Sequence, residues 1–222
     1  MTIEEHYSDL LKKYGDDPRA VQLSDRTTQR RRFRVLIDPF ERRGGGRILD
    51  VGCGLAHLLE YLQENGVDCE YTGVDANQDM VDASKEKFPS CHFERLDIGR
   101  QAPDWDADLV LCSGLFNNRR EDPQAFLRAA LRNMYSVTRR VLAFNLMSSY
   151  VDFIDSDLDY FDPEDVFRFC KEHLGPLVSL RHDYEVKPGI VPFEFAVHVY
   201  RGGGACRRRI CEGVARNVAG AA

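Results

Sequence analysis

Arg47-Ile48-Leu49-Asp50-Val51-Gly52-Cys53-Gly54-Leu55-Ala56-His57-Leu58-Leu59 decides the fold of this 222-residue chain. Apolar residues run without alternation around Asp50, as a central strand buried on both faces requires. Gly52 and Gly54 follow, then the apolar start of a helix. Glycines there let the chain turn sharply out of a buried strand and let a ligand approach the main chain, because neither carries a Cβ. About twenty residues on, a second strand, Glu70 to Val74, ends at Asp75, a carboxylate placed to accept from both hydroxyls of a ribose. Both features fit a nucleoside-bearing ligand on an open α/β sheet. A dinucleotide turn needs a third glycine where this chain has His57, so that helix and strand pack closely beside the pyrophosphate.

Asp50-x-Gly52-x-Gly54 resembles motif I of the class I S-adenosylmethionine (SAM) dependent methyltransferases, whose cofactor has no pyrophosphate. The family often has a third glycine at the position of Ala56. The resemblance extends over about residues 45 to 201. It implies an α/β fold: a Rossmann-like, seven-stranded, mostly parallel sheet with helices on both faces and an antiparallel C-terminal hairpin strand. It implies SAM as methyl donor, with S-adenosylhomocysteine as product. Asp50, Gly52, Cys53 and Gly54 would hold the cofactor at motif I, and Asp75 with Ala76 at the ribose. A third strand, Cys91 to Leu96, ends in Asp97-Ile98, which resembles the family's adenine site. Asp97 would accept from the exocyclic amine while Ile98 offers its backbone N–H and covers the ring. A fourth strand, Ala107 to Cys112, opens onto Ser113-Gly114-Leu115-Phe116-Asn117-Asn118, which resembles motif IV, where methyl group and acceptor meet. Ser113 and Gly114 are further cofactor candidates. The Asn/Asp-Pro-Pro-Tyr sequence used on DNA adenine and glutamine side chains is missing here, which counts against those acceptors.

Working outward, Ile3, Tyr7, Leu10, Leu11 and Tyr14 repeat at helical spacing. A second helix from about Thr27 to Glu41 puts Phe33, Leu36, Ile37 and Phe40 on one face, and Gly44-Gly45-Gly46 ends it. This reading gives a helical lid over residues 1–43, a methyltransferase domain over 44–201 and a disordered glycine-, alanine- and arginine-rich tail over 202–222. By the resemblance, Tyr7, Tyr14, Gln29 and Arg32 of the lid face the acceptor, with Phe116 and Asn117 from motif IV. The aromatic and acidic stretch Ser148 to Phe161 is expected to overhang the site and contribute Tyr150 and Tyr160. Leu177 to Tyr184 and Pro192 to Tyr200 read as strands whose short link, Val186 to Gly189, demands an antiparallel pair. In the second, Phe193, Phe195, Val197 and Val199 alternate with Glu194, Ala196, His198 and Tyr200, the pattern of unlike faces. His182, Asp183 and His57 are the candidate catalytic bases.

Composition sets limits. With 43% hydrophobic and 30% charged residues the chain suits one globular domain. It has no apolar run of about eighteen residues and no basic-then-apolar leader, so a cytoplasmic protein without a membrane partner is expected. Seven scattered cysteines without a Cys-x-x-Cys pair read as buried packing residues, and no metal set is identified. A net charge of −6 counts against a nucleic-acid partner. Arg30-Arg31-Arg32 with Arg34, and Arg207-Arg208-Arg209, keep an RNA methyltransferase as an alternative. An NAD(P)-binding oxidoreductase and a non-catalytic SAM-binding protein are the other two. The leading expectation is methyl transfer to a small-molecule substrate by a monomer or homodimer.

Overall fold

The computed structural model describes residues 2–41 and 45–202. The second arginine cluster, Cys206, Cys211 and all of the expected tail beyond Gly202 lie outside the described residues. The strands are β1 (Gly46–Val51), β2 (Cys69–Asp75), β3 (His92–Arg95), β4 (Ala107–Cys112), β5 (Thr138–Met147), β6 (Leu177–Arg181) and β7 (Glu194–Tyr200). They form one sheet in the order β3-β2-β1-β4-β5-β7-β6. β1 to β5 are mutually parallel, and β7 runs antiparallel to both β5 and β6. The expected architecture is therefore present, with the continuous apolar run of β1 at the sheet's centre.

Successive side chains of β1 serve the two faces. Leu49 and Val51 join the core shared with α5 (Pro123–Ser136) and α6 (Pro163–Phe169). Ile48 joins the core shared with α2 (Arg26–Glu41), α3 (His57–Glu64) and Val81 of α4 (Gln78–Lys87). Local signals set the helix ends. Asn77 Oδ1 caps α4 by accepting from the Asp79 and Met80 amides, Asp122 caps α5 at Ala125, and Asp162 caps α6 at Glu164 and Asp165. α6 continues into a π-type turn, Cys170–Leu174, before Gly175.

The two N-terminal helices do different work. α1 (Ile3–Tyr14) starts with a reciprocal capping box between Thr2 and Glu5 and contributes no buried side chain. It lies across the C-terminal strand ends, held where Asn77 Nδ2 donates to Glu4 O (2.8 Å) and Ser8 Oγ (3.1 Å). α2 instead buries Phe33, Leu36, Ile37 and Phe40 against the sheet with Ile48, Leu58 and Val141, so it belongs to the core of the domain it was expected to cover. A boundary at residue 43 would divide that core.

Two expectations at the C-terminal end need correction. β6 stops at Arg181, so its connection to β7 is longer than the predicted link. Tyr184 and Val186 leave the sheet for the core beneath α2, where Arg31 Nη1 donates to Val186 O (3.3 Å). The antiparallel register itself holds, from Leu177 opposite Tyr200 to Arg181 opposite Ala196. The unlike faces of β7 are also not what alternation suggested, because Glu194 and His198 are buried. α2 covers the face they occupy, and His198 Nε2 sits 3.1 Å from Val35 O.

Candidate active site

The turn after β1 is built from left-handed residues. Gly52 and Gly54 have φ of 73° and 53°, and Ala56 adopts φ 54° as well. A Cβ on Gly52 would stand 3.0 Å from Leu115 Cδ1, and one on Gly54 2.9 Å from Val21 Cγ1. The left-handed backbone makes glycine the fitting residue at both positions, and the Leu115 and Val21 methyl groups leave little room for a Cβ. The Gly52 and Cys53 amides donate to Val74 O (2.8 and 3.0 Å), tying the turn to β2. At the end of β2, Asp75 accepts from the Gly54 amide through Oδ2 and from the Asn77 amide through Oδ1, both at 2.9 Å. These bonds hold its carboxylate at the mouth of the turn and leave lone pairs on both oxygens. Burial raises the Asp75 carboxyl above its ordinary pKa.

Asp50 is buried just before the turn, and Tyr71 donates its phenol proton to Asp50 Oδ2 at 2.7 Å. Burial lifts this carboxyl to about 7, against the Tyr71 hydrogen bond, which favours the charged form. Beyond β3, Asp97 accepts from the Gly99 amide (3.0 Å) and pairs with Arg100 (3.1 Å), while the Ile98 side chain is buried.

These elements surround a cavity of about 580 Å³ at the C-terminal strand ends. All the cofactor candidates of the sequence analysis line it, Ala76, Cys53, Ser113 and Gly114 included. Ser113 Oγ, Asn117 Oδ1 and Arg120 Nε are buried there with no hydrogen-bond partner among the described residues. Buried polar atoms without partners are uncommon. Together with the glycine-lined turn, they make a wall that suits a polar nucleoside ligand such as SAM.

The acceptor candidates divide. Tyr7, Arg32 and Asn117 line the cavity, as does Gln29. Tyr7 Oη accepts from Asn118 Nδ2 at 2.7 Å, and burial pushes its phenol to about 12. Phe116 is instead a core residue, edge-on to Phe126 and Phe144. Tyr14 packs between Lys13 and Arg19, each 4.9 Å from its ring. Tyr150 is 58% exposed and donates to Glu164 Oε1 (2.9 Å). Tyr160 accepts from the Asp155 amide (3.0 Å). From the same acidic stretch it is Asp155, Asp157 and Leu158 that reach the cavity wall.

The candidate bases do not converge. His182 faces away from the cavity, with Nε2 3.2 Å from Pro192 O and its ring beside Tyr150 and Phe195. Asp183 is exposed and pairs with Arg181 (3.1 Å). His57 does line the cavity, but both ring nitrogens are engaged: Nε2 with Asp16 Oδ1 (2.9 Å) and Nδ1 with Gln29 Nε2 (3.1 Å). An ionised carboxylate only accepts, so this network assigns the proton to Nε2 and the Gln29 amide to Nδ1. Burial lowers the His57 pKa and keeps the ring neutral.

Sequence reasoning missed the buried chain Arg32-Glu194-Asn145-Gly114. Arg32 Nε donates to both oxygens of Glu194 (2.6 and 2.8 Å), Asn145 Nδ2 lies 3.3 Å from Glu194 Oε2, and the Gly114 amide donates to Asn145 Oδ1 (2.9 Å). Only the burial of Glu194 reveals it. Arg120, stacked 3.6 Å over the Phe126 ring, was likewise unmarked.

The profile of a family described as methyltransferase domain matches residues 48–141. Rv1506c of Mycobacterium tuberculosis, a protein named as a methyltransferase, is 34% identical over 154 residues, covering 66% of this chain and 88% of its own length. The chain belongs to the class I SAM-dependent methyltransferases. This methyltransferase is also 31% identical over 70 residues to a trans-aconitate 2-methyltransferase of Rhodopseudomonas palustris, a match covering 32% of the chain and 27% of that relative. Its fold superposes on magnesium protoporphyrin IX methyltransferase of Synechocystis PCC 6803, solved with bound SAM, with a TM-score of 0.63 at 14% identity, covering 88% and 91% of the two chains.

Proposed function

We propose that this methyltransferase transfers the methyl group of SAM to a small-molecule acceptor inside the cavity, and that it acts in the cytoplasm. The observation that carries the reading is the cavity itself: the motif I turn, Asp75 and Asp97 line one part of it, and Tyr7, Gln29 and Arg32 another. SAM supplies an electrophilic methyl group on a sulfonium. In this reading Asp75 takes the ribose hydroxyls, Asp97 and Ile98 take the adenine, and Asp50 faces the cationic end of the donor. The small-molecule substrates in the names of relatives, trans-aconitate and magnesium protoporphyrin, support the acceptor class. Half-buried free thiols at Cys69 and Cys91 suit a reducing compartment.

With no free histidine base among the described residues of the wall, placement carries the catalysis in this reading. Holding reactants aligned can supply on the order of 7 to 11 kcal/mol. Internal contacts weaken the case for RNA as acceptor: Arg30 pairs with Glu64, Arg31 donates to Glu185 O and Val186 O, and Arg32 pairs with Glu194. Calorimetric titration with S-adenosylhomocysteine tests the donor site. Asp75→Ala, which also removes the anchor of the Gly54 amide, is expected to weaken binding by about tenfold or more with the fold retained.

A further inference from the structure

On the reading that the cavity binds SAM and a small acceptor, we infer that the acceptor carries a carboxylate and that Arg32 receives it. Arg32 is 7% exposed on α2, and its partner Glu194 on β7 is fully buried. The pair meets through one nitrogen, with Nε donating to both Glu194 oxygens. A paired guanidinium commonly offers two parallel N–H groups to its carboxylate. Here the edge bearing Nη1 and Nη2 donates to no described residue, and Arg32 is part of the cavity wall. Asn145 and Gly114 brace Glu194 from behind. A guanidinium clamped at one edge and open at the other is a preorganised oxyanion receptor.

The strand order places this receptor on the acceptor's side. Asp97, Asp75 and the Gly52 turn follow β3, β2 and β1, which are adjacent, so a donor laid on them points toward β4. Arg32 is tied to β7 through Glu194 and to β5 through Asn145. β5 is two strands beyond β1, about 10 Å at the usual strand spacing. That lies past the methyl group, where an in-line acceptor must stand. Because Glu194 cancels one charge, the Arg32-Glu194 unit is neutral and suits a planar monoanionic group; a phosphate dianion would meet the Glu194 carboxylate.

The test uses the full chain saturated with S-adenosylhomocysteine and titrated calorimetrically with succinate, benzoate and trans-aconitate, and with their amides. At least one carboxylate is expected to bind and its amide not to bind. Arg32→Lys keeps a cation for Glu194 and removes the open fork, so it should weaken carboxylate binding by about tenfold or more. S-adenosylhomocysteine affinity should stay within about twofold, because the proposed donor contacts do not involve Arg32. The double variant Arg32→Met with Glu194→Met removes the pair without leaving a buried lone charge, and should lose carboxylate binding equally. Absence of carboxylate binding to the wild type, or equal binding by Arg32→Lys, overturns the proposal. So does loss of S-adenosylhomocysteine affinity in Arg32→Lys with carboxylate binding retained, which would give Arg32 to the cofactor's own carboxylate. A wild type that binds no S-adenosylhomocysteine removes the SAM reading beneath it.

Discussion

Asp50 combines burial, a single hydrogen bond from Tyr71 and a pKa moved up to about 7. The unfolded chain ionises this carboxyl near the ordinary aspartate value of about 3.9. Between those values the native state binds the extra proton, so stability from this group falls as pH rises and the loss is complete above about 7. Asp50→Asn should therefore stabilise the ligand-free protein at pH 8 and leave it little changed at pH 4, as measured by urea unfolding at both values. A ligand that brings its α-ammonium group to Asp50 favours the ionised form, so S-adenosylhomocysteine affinity of the wild type should rise as pH increases through about 7, and this rise should vanish in Asp50→Asn. Calorimetry across that range reads the difference. Ala56 gives a second prediction. It is fully buried at φ 54°, where only glycine sits without penalty. Ala56→Val adds a branched side chain there and should cost about 2 kcal/mol or more of unfolding free energy. Sequence made this turn legible because glycine spacing reports backbone conformation directly. It could not say that Ala56 itself is left-handed.

The helices and strands differ in how they join the core, and that sets their mobility. α1 packs only half-buried side chains, Tyr7, Leu11 and Tyr14, against Ala20, Leu55 and Met80, and rests on Asn77 and Tyr7 hydrogen bonds, while α2 is sealed into the sheet. Backbone amides of α1 should exchange with deuterium far faster than those of α2, and S-adenosylhomocysteine should slow α1 selectively, because Ile3, Glu4 and Tyr7 line the cavity. Equal exchange in both helices would show that α1 is no lid. Helical periodicity identified both elements. Periodicity could not distinguish a core helix from a cover, since each has an apolar stripe. Alternation misread β7 for a related reason: Glu194 looks outward in sequence and is buried because α2, distant in the chain, covers it. Pairing across 162 positions leaves no local trace.

For the whole molecule, the residues that sequence picked out for the cofactor all line one cavity, while those picked out for the acceptor divide, with Tyr7, Gln29, Arg32 and Asn117 in its wall and Phe116, Tyr14, Tyr150 and Tyr160 outside it. Motifs at four strand ends meet in one cavity because a parallel sheet brings those ends together. The wall proposed for the acceptor comes from loops and helix faces with no shared spacing, which is why Phe116, Tyr150 and His182 fall elsewhere and Arg120 was overlooked. The internally engaged arginines of α2 argue against RNA as acceptor, so RNA binding should be weak and steeply salt-dependent. A filter-binding titration at two salt concentrations checks this. Calorimetric titration of the wild type and Asp75→Ala with S-adenosylhomocysteine, with NAD as comparison ligand, bears on everything above. We expect saturable one-to-one binding of S-adenosylhomocysteine, about tenfold or more weaker in the variant, and no binding of NAD. Folded wild-type protein that binds NAD but not S-adenosylhomocysteine, or an Asp75→Ala variant that binds as well as wild type, would contradict the donor site described here.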